Sequence, residues 1–192
     1  MKIAVAYKDG EIFEHFGHAE MFALYDYPDM EVESCRKVLV ECGDRHGHAA
    51  MAQLMKDNGV DAVIGSHSHI VGPMEQEQVT TVDGTEKTCF VAYSLGNFFS
   101  SMDDSYAKNC RESVVLNLSF TKNGQTGATQ LSGVSYTPVY LMDHGEDAQT
   151  RYEILPIRSA INSGLFPEME QTLTDAIAHL RAATASDYDS GK

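Results

Sequence analysis

Basic residues are scarce in this chain: 14 Lys and Arg stand against 28 Asp and Glu, a formal net charge of −14. A surface of that sign repels phosphate backbones and anionic headgroups, which excludes a nucleic-acid binder relying on a basic patch. A phosphorylated substrate stays open, because a bound divalent metal reverses the local field. Long apolar runs are missing too. No stretch reaches the roughly 18 residues of a membrane span, and the opening MKIAVAYKDG lacks a signal-peptide core, so a cytoplasmic location is the expectation. Cysteine is limited to Cys35, Cys42, Cys89 and Cys110, spaced too widely for a CxxC zinc knuckle; without a secretion signal they form no disulfide framework. Neither a GxxxxGK[ST] loop nor a Ser-His-Asp arrangement is evident, which leaves P-loop and serine-type chemistry without support.

What is present reads as an α/β protein of one domain or two small ones, with 43% hydrophobic residues in 192. Residues 2–7, KIAVAY, have the apolar density of a strand, and Asp9-Gly10 reads as a turn. Strands are expected over 21–27 and 32–40. Over 48–58 the spacing of Ala49, Met51, Ala52, Leu54 and Met55 is helical, with Asn58-Gly59 as its stop. A strand at 61–64 follows. Beyond it come a hairpin over 80–88 turning at Asp83-Gly84, a buried strand over 89–94, and strands over 114–121, 128–136 and 138–142. Residues 166–183 form an amphipathic helix opened by Pro167, with Met169, Leu173, Ile177 and Leu180 on one side; the polar tail from 184 onward is expected to fray.

The stretch richest in chemistry is GVDAVIGSHSHIVGPME, residues 59–75. An apolar strand ends at Gly65 and is followed by His67 and His69. The carboxyl ends of strands are where α/β proteins build sites, so the pair reads as metal ligands or as two solvated loop histidines. Elsewhere His15 and His18 flank Phe16-Gly17, and Cys42 lies close to His46 and His48. That Cys-His-His group suits a soft or borderline metal, or the capping of a turn. Cys89, inside CFVAY, is expected as a small buried hydrophobe. His179, in the last helix, is expected to be structural or exposed.

Two resemblances attach to these motifs. KIAVAY, EHFGHAEMFALYDY and ECGDRHGHAAMAQLMKDNGVDAVI make residues 1–64 similar to the dinitrogenase iron-molybdenum cofactor biosynthesis family, the NifX-like and NifB C-terminal domains. The resemblance implies binding of an iron-sulfur or iron-molybdenum cluster, with His15, His18, Cys42, His46 and His48 as ligands. Imidazole and thiolate are ligands that iron clusters use.

MAQLMKDNGVDAVIGSHSHIVGPME, FVAYSLGNFFSS, SVVLNLSF and VSYTPVYLMDHGEDAQTRYEILPIRSAI make residues 51–158 resemble the CapA family of poly-γ-glutamate or capsule synthesis proteins, whose fold is related to the metallophosphatases. This resemblance implies a divalent metal (Mn, Zn or Fe) held by His67 and His69, with Asn97 and Glu75 lining the catalytic pocket and a small-molecule or polyglutamate-related substrate. Asn97 and Glu75 read equally as a turn-stabilising Asn and an exposed Glu. That family's remaining ligands, an early Gly-Asp, an Asn and a further His, have no clear counterpart here. Gly43-Asp44 follows no suitable strand, so His15, His18, His46 or His48 substitutes or the hydrolytic site is incomplete. The two resemblances share residues 51–64. They imply a NifX-like segment joined to a truncated, β-rich metallophosphatase-like part, with 159–192 as a terminal helix and tail.

Overall fold

The computed structural model describes residues 2–12, 19–26, 34–39, 48–65 and 68–191. The chain is α/β, as expected, and its strands are distributed over three sheets. It divides into two compact units, one of residues 1–63, 76–91 and 120–132, the other of 64–75, 92–119 and 133–192.

The first unit is built on a four-stranded sheet in the order β2-β1-β3-β4. Its strands are β1 (Lys2–Lys8), β2 (Glu11–Ile12), β3 (Met21–Asp26) and β4 (Ser34–Leu39). The turn expected at Asp9-Gly10 joins β1 to β2, with Tyr7 opposite Ile12. Both turn residues have positive φ, 51° and 99°, the conformation that matches the twist of a two-residue hairpin. Strand β3 is central and fully apolar in its middle: Phe22, Ala23 and Leu24 are buried. It pairs antiparallel with β1 (Ala6 opposite Phe22) and with β4 (Met21 opposite Leu39). Strand β4 is an edge, and its exposed Arg36 and Lys37 are the charges that keep such an edge from pairing with other chains.

Helix α1 (His48–Asp57) buries Met51, Ala52 and Met55, which stand at i, i+1 and i+4 and so lie on one side of the helix. It ends where expected: Asn58 Nδ2 donates to the Leu54 carbonyl at 2.8 Å, and Gly59 takes φ 75°. That left-handed residue is reached at no steric cost by glycine. Two ion pairs secure the next turn, Lys56 to Glu77 at 2.7 Å and Lys87 to the buried Asp61 at 2.9 Å. Strand β5 (Ala62–Ile64) is followed by the hairpin of β6 (Met74–Thr80) and β7 (Glu86–Ala92), in the sheet order β5-β7-β6. Its turn lies at Asp83-Gly84 as read from the sequence, with Gly84 at φ 83°. Strand β7 begins earlier than expected and carries Cys89, Phe90, Val91 and Ala92, all nearly inaccessible. Burial pushes the Cys89 thiol up to about 11, in keeping with a cysteine that packs as a hydrophobe.

A further sheet has the order β10-β9-β8, from β8 (Glu112–Lys122), β9 (Thr129–Asp143) and β10 (Tyr152–Pro156), and the parts of these strands within 112–119 and 133–156 belong to the second unit. The expected break between 136 and 138 does not occur. Strand β9 runs through Pro138, whose ring is itself fully buried. Strand β10, absent from the sequence reading, pairs antiparallel with β9 from Tyr152 opposite Asp143 to Pro156 opposite Val139. Helix α2 (Ile157–Ser163), also unanticipated, starts directly from Pro156 and stops at Gly164, φ 63°. A 3-10 turn at Pro167–Met169 opens α3 (Glu170–Thr184), whose buried stripe is Leu173, Ala176, Leu180 and Thr184. Each fully buried leucine of that stripe contributes roughly 1.5–3 kcal/mol.

The tail does not fray. Tyr136 N donates to the Tyr188 carbonyl at 2.8 Å and Ser190 N to the Tyr136 carbonyl at 2.9 Å. The Asp189 carboxylate accepts from Arg158 and, at 2.9 Å, from Arg181 Nε. Polar composition misled here because its polar groups are satisfied by the backbone of β9 and by two arginines rather than by water. Among the described residues, no helix is long and apolar enough to cross a membrane.

Candidate functional site

The loop after β5 is held in place by backbone hydrogen bonds to the chain leaving β7, all within the second unit. Gly65 N donates to the Ala92 carbonyl at 2.8 Å, Leu95 N to Gly65 at 3.2 Å, Gly72 N to Ser94 at 3.0 Å and Tyr93 N to Pro73 at 3.1 Å. Gly65 is required by closeness: a Cβ there would stand 2.2 Å from the Tyr93 carbonyl oxygen. Gly96 has a double reason, a φ of 76° and a Cβ position 2.9 Å from the Glu112 carbonyl oxygen. The SLGN turn and the histidine loop are therefore one structural unit.

That unit joins two of the residues singled out in the sequence. His69 Nδ1 lies 2.8 Å from Asn97 Oδ1. The Asn97 amide is oriented by its other end, which donates to the Cys110 carbonyl at 3.4 Å and faces the Met102 sulfur at 3.7 Å. With Nδ2 so used, Oδ1 accepts and His69 Nδ1 carries the proton, which in the neutral ring puts the lone pair on Nε2. His69 also holds φ 60°, a left-handed conformation that a non-glycine residue adopts at some cost. Glu75 is half-buried and accepts from the Tyr93 hydroxyl at 2.6 Å. Asn97 is thus the support of a histidine rather than a turn-forming side chain, and Glu75 is anchored rather than solvated. Exposed Phe98 and Phe99 follow Asn97 directly.

His67 lies outside the described residues, as do His15, His18, Cys42 and His46; His48 is the first residue of α1. Among the described residues no three His, Cys, Asp or Glu side chains converge as a metal site. The described residues therefore do not fit a dinuclear metal centre, and no hydrolytic step through one follows from them.

A second concavity, about 390 Å³, lies in the first unit and is lined by Tyr7, Lys8, Asp9, Glu20, Met21, Lys37 and Leu39. It occupies the end of the sheet where β1 stops, β3 starts and β4 stops. Lys37 Nζ donates to the Tyr7 hydroxyl at 2.7 Å and stands 4.1 Å from the centroid of its ring. The phenol bond raises the lysine's affinity for its proton. Because Met21 pairs with Leu39, the segment ending before Ala19 and the segment beginning after Leu39 attach at neighbouring points of one sheet end. These segments carry His15 and His18, and Cys42 and His46. That their points of attachment are neighbours was not legible from spacing, since it depends on the antiparallel register of β3 and β4.

The sequence reading also missed a carboxylate-imidazole pair, Glu112 with His179, at 3.0 Å. No local signal could have found it, since the two residues stand 67 apart in the chain.

The family model described as "Dinitrogenase iron-molybdenum cofactor" matches residues 1–88. No curated protein and no solved structure matches the chain. The match runs past residue 64, where the sequence resemblance ended, through β6 into β7, whereas the resemblance of residues 51–158 to the CapA proteins stands on its motifs alone. The N-terminal part of the chain, 88 of 192 residues, is similar to the dinitrogenase iron-molybdenum cofactor family.

Proposed function

We propose that the chain is a non-enzymatic carrier that binds an iron-sulfur or iron-molybdenum type cluster as cargo at the β1-β3-β4 end of the first unit. The family match over residues 1–88 carries this reading. The sheet register supports it, because the two segments bearing His15, His18, Cys42 and His46 attach side by side there. Cys42 and the histidines supply the soft and borderline donors that iron clusters take, and His48 at the start of α1 completes the set. Lys8 and Lys37 line the same concavity together with Asp9 and Glu20, so its charge is balanced in a chain that is otherwise strongly acidic, which repels an anionic cargo less than the rest of the surface does.

Anaerobic purification followed by iron, molybdenum and sulfide analysis tests the reading. Cluster-loaded protein should show a visible absorption band that falls by more than half in a His15→Ala, Cys42→Ala double variant. Failure of both wild type and variant to take up a supplied cluster sinks the proposal.

A second reading is favoured by one observation, the Asn97-supported His69 with its backbone at φ 60°. A carbonyl-type acceptor on Nδ1 is the partner that prepares a histidine to bind metal through its other nitrogen. His67 and His69 would then hold Mn, Zn or Fe in a CapA-like site acting on a phosphoester or polyglutamate-related substrate, with Glu75 and Asn97 lining it. Colourless protein whose stoichiometric Mn or Zn is lost in a His67→Ala, His69→Ala variant would decide for this reading over the carrier.

A further inference from the structure

The second unit contains a cleft that neither reading uses. About 170 Å³ in volume, it is lined by Asp104, Asn109, Arg111 and Glu112 before and at the start of β8, Tyr140 of β9, and Thr172, Asp175 and His179 of α3. The three α3 residues stand at i, i+3 and i+7 and so share one face. Glu112 is more than nine-tenths buried, and its Oε1 takes the 3.0 Å bond from His179 Nδ1. No described residue donates to its other oxygen. Burial raises the Glu112 carboxyl above the ordinary range, with the His179 bond opposing that shift. Asp175, exposed on the rim, accepts from Gln171 at 2.9 Å, and Asp104 accepts from the Asn109 backbone N–H at 3.1 Å. The cationic lining side chain Arg111 has a carboxylate of its own, Asp143 at 3.7 Å.

Three features select the ligand. Carboxylates outnumber the positive charge facing the cleft, so the local field favours a cation. The donors do not converge: no three described His, Cys, Asp or Glu side chains form a metal-holding group, so a bare metal ion finds no shell here. The volume is that of a cavity able to hold benzene, about 150 Å³, which accommodates an organic ion of a few heavy atoms whose N–H groups reach separated acceptors. We propose that this cleft binds a small organic cation of the primary ammonium or guanidinium class, with the buried Glu112 as its counter-ion, Asp175 at the rim, and the Tyr140 and Thr172 hydroxyls as further acceptors. His179 positions the Glu112 carboxylate.

The test uses the full chain titrated with ethylammonium, 1,4-diammoniobutane and guanidinium chloride while the His179 ring signals are followed by NMR, with sodium chloride as the ionic-strength control. At least one cation should give a saturable shift with a Kd of about 1 mM or tighter. Asp175→Asn, a rim change, should leave the melting temperature unchanged and weaken binding about fivefold, and Glu112→Gln should weaken it about tenfold or more. Should Glu112→Gln not fold, Asp175→Asn together with His179→Gln carries the comparison. The proposal is overturned by the absence of saturation with all three cations up to about 10 mM, or by unchanged affinity in the variants. It is equally overturned if manganese(II) saturates the site and excludes the ammonium ions. None of these outcomes depends on cluster binding by the N-terminal unit.

Discussion

Gly65 and Asn97 illustrate how single residues fix the histidine loop. A methyl group at position 65 would meet the Tyr93 carbonyl oxygen at 2.2 Å, and two hydrogen-bonded backbones cannot separate without breaking the bonds on either side. Gly65→Ala should therefore destabilise the chain by about 1–3 kcal/mol, read as a lowered midpoint in urea. Asn97→Ala removes the acceptor of His69 and the donor to Cys110 and should cost about 1–2 kcal/mol. In a variant that still folds, the His69 ring signals should also shift, which a merely helpful turn residue would not cause. Asp83 supplies a pH test. Hydrogen bonds from Thr81 and Thr85 hold its carboxyl down to about 2, below its value in the unfolded chain. A depressed carboxylate stabilises the fold above the unfolded pKa and loses that contribution as pH falls through the folded one. Stability should thus decline between pH 4 and 2 through this group, and Asp83→Asn should flatten that part of the profile. The Asp83-Gly84 turn was legible because its residues act through their own backbone. The His69–Asn97 pair, 28 residues apart, was not, although both residues were singled out separately.

At the level of elements, those anticipated correctly are the ones whose pattern is local and uninterrupted. Helix α1 declares itself by the spacing of Met51, Ala52 and Met55 and by Asn58-Gly59, and β1 and β3 by apolar density. Those missed are short or carry proline. YEILP is five residues ending in a proline, and it becomes β10 only because β9 lies alongside to pair with it. Helix α2 follows that proline with seven residues, too few to show a period. Strand β9 passes Pro138 because the strand's packing, rather than its hydrogen bonding, decides that position. The tail is the clearest reversal, fixed by Tyr136 and by Asp189 between Arg158 and Arg181. Asp189→Ala leaves two arginines without their shared carboxylate, one of them largely buried, and should cost about 2 kcal/mol; unchanged stability and unchanged protease resistance of the tail would contradict that account. Leu173→Ala, on the buried face of α3, should cost about 2–5 kcal/mol, against less than about 0.5 kcal/mol for a substitution at the exposed Gln171.

For the whole molecule, the acidic balance makes its own prediction. With a net charge of −14, the chain should show no salt-sensitive binding to duplex DNA in a fluorescence anisotropy titration at about 50 mM salt, where phosphate contacts are strongest. By itself the sequence determined the charge, the α/β class, the central helix and its flanking strands, and the similarity of the N-terminal part to the iron-molybdenum cofactor family. These follow from composition and from periodicity within a window of a few residues, where each side chain's preference is expressed through its own backbone. Only the tertiary structure decided that the SLGN turn supports His69, that Met21 of β3 and Leu39 of β4 pair at one sheet end, and that Glu112 and His179, 67 residues apart, share a cleft. Such pairings are set by strand register and by which face of a helix is buried, and those are outcomes of packing the whole chain rather than properties of any stretch of it.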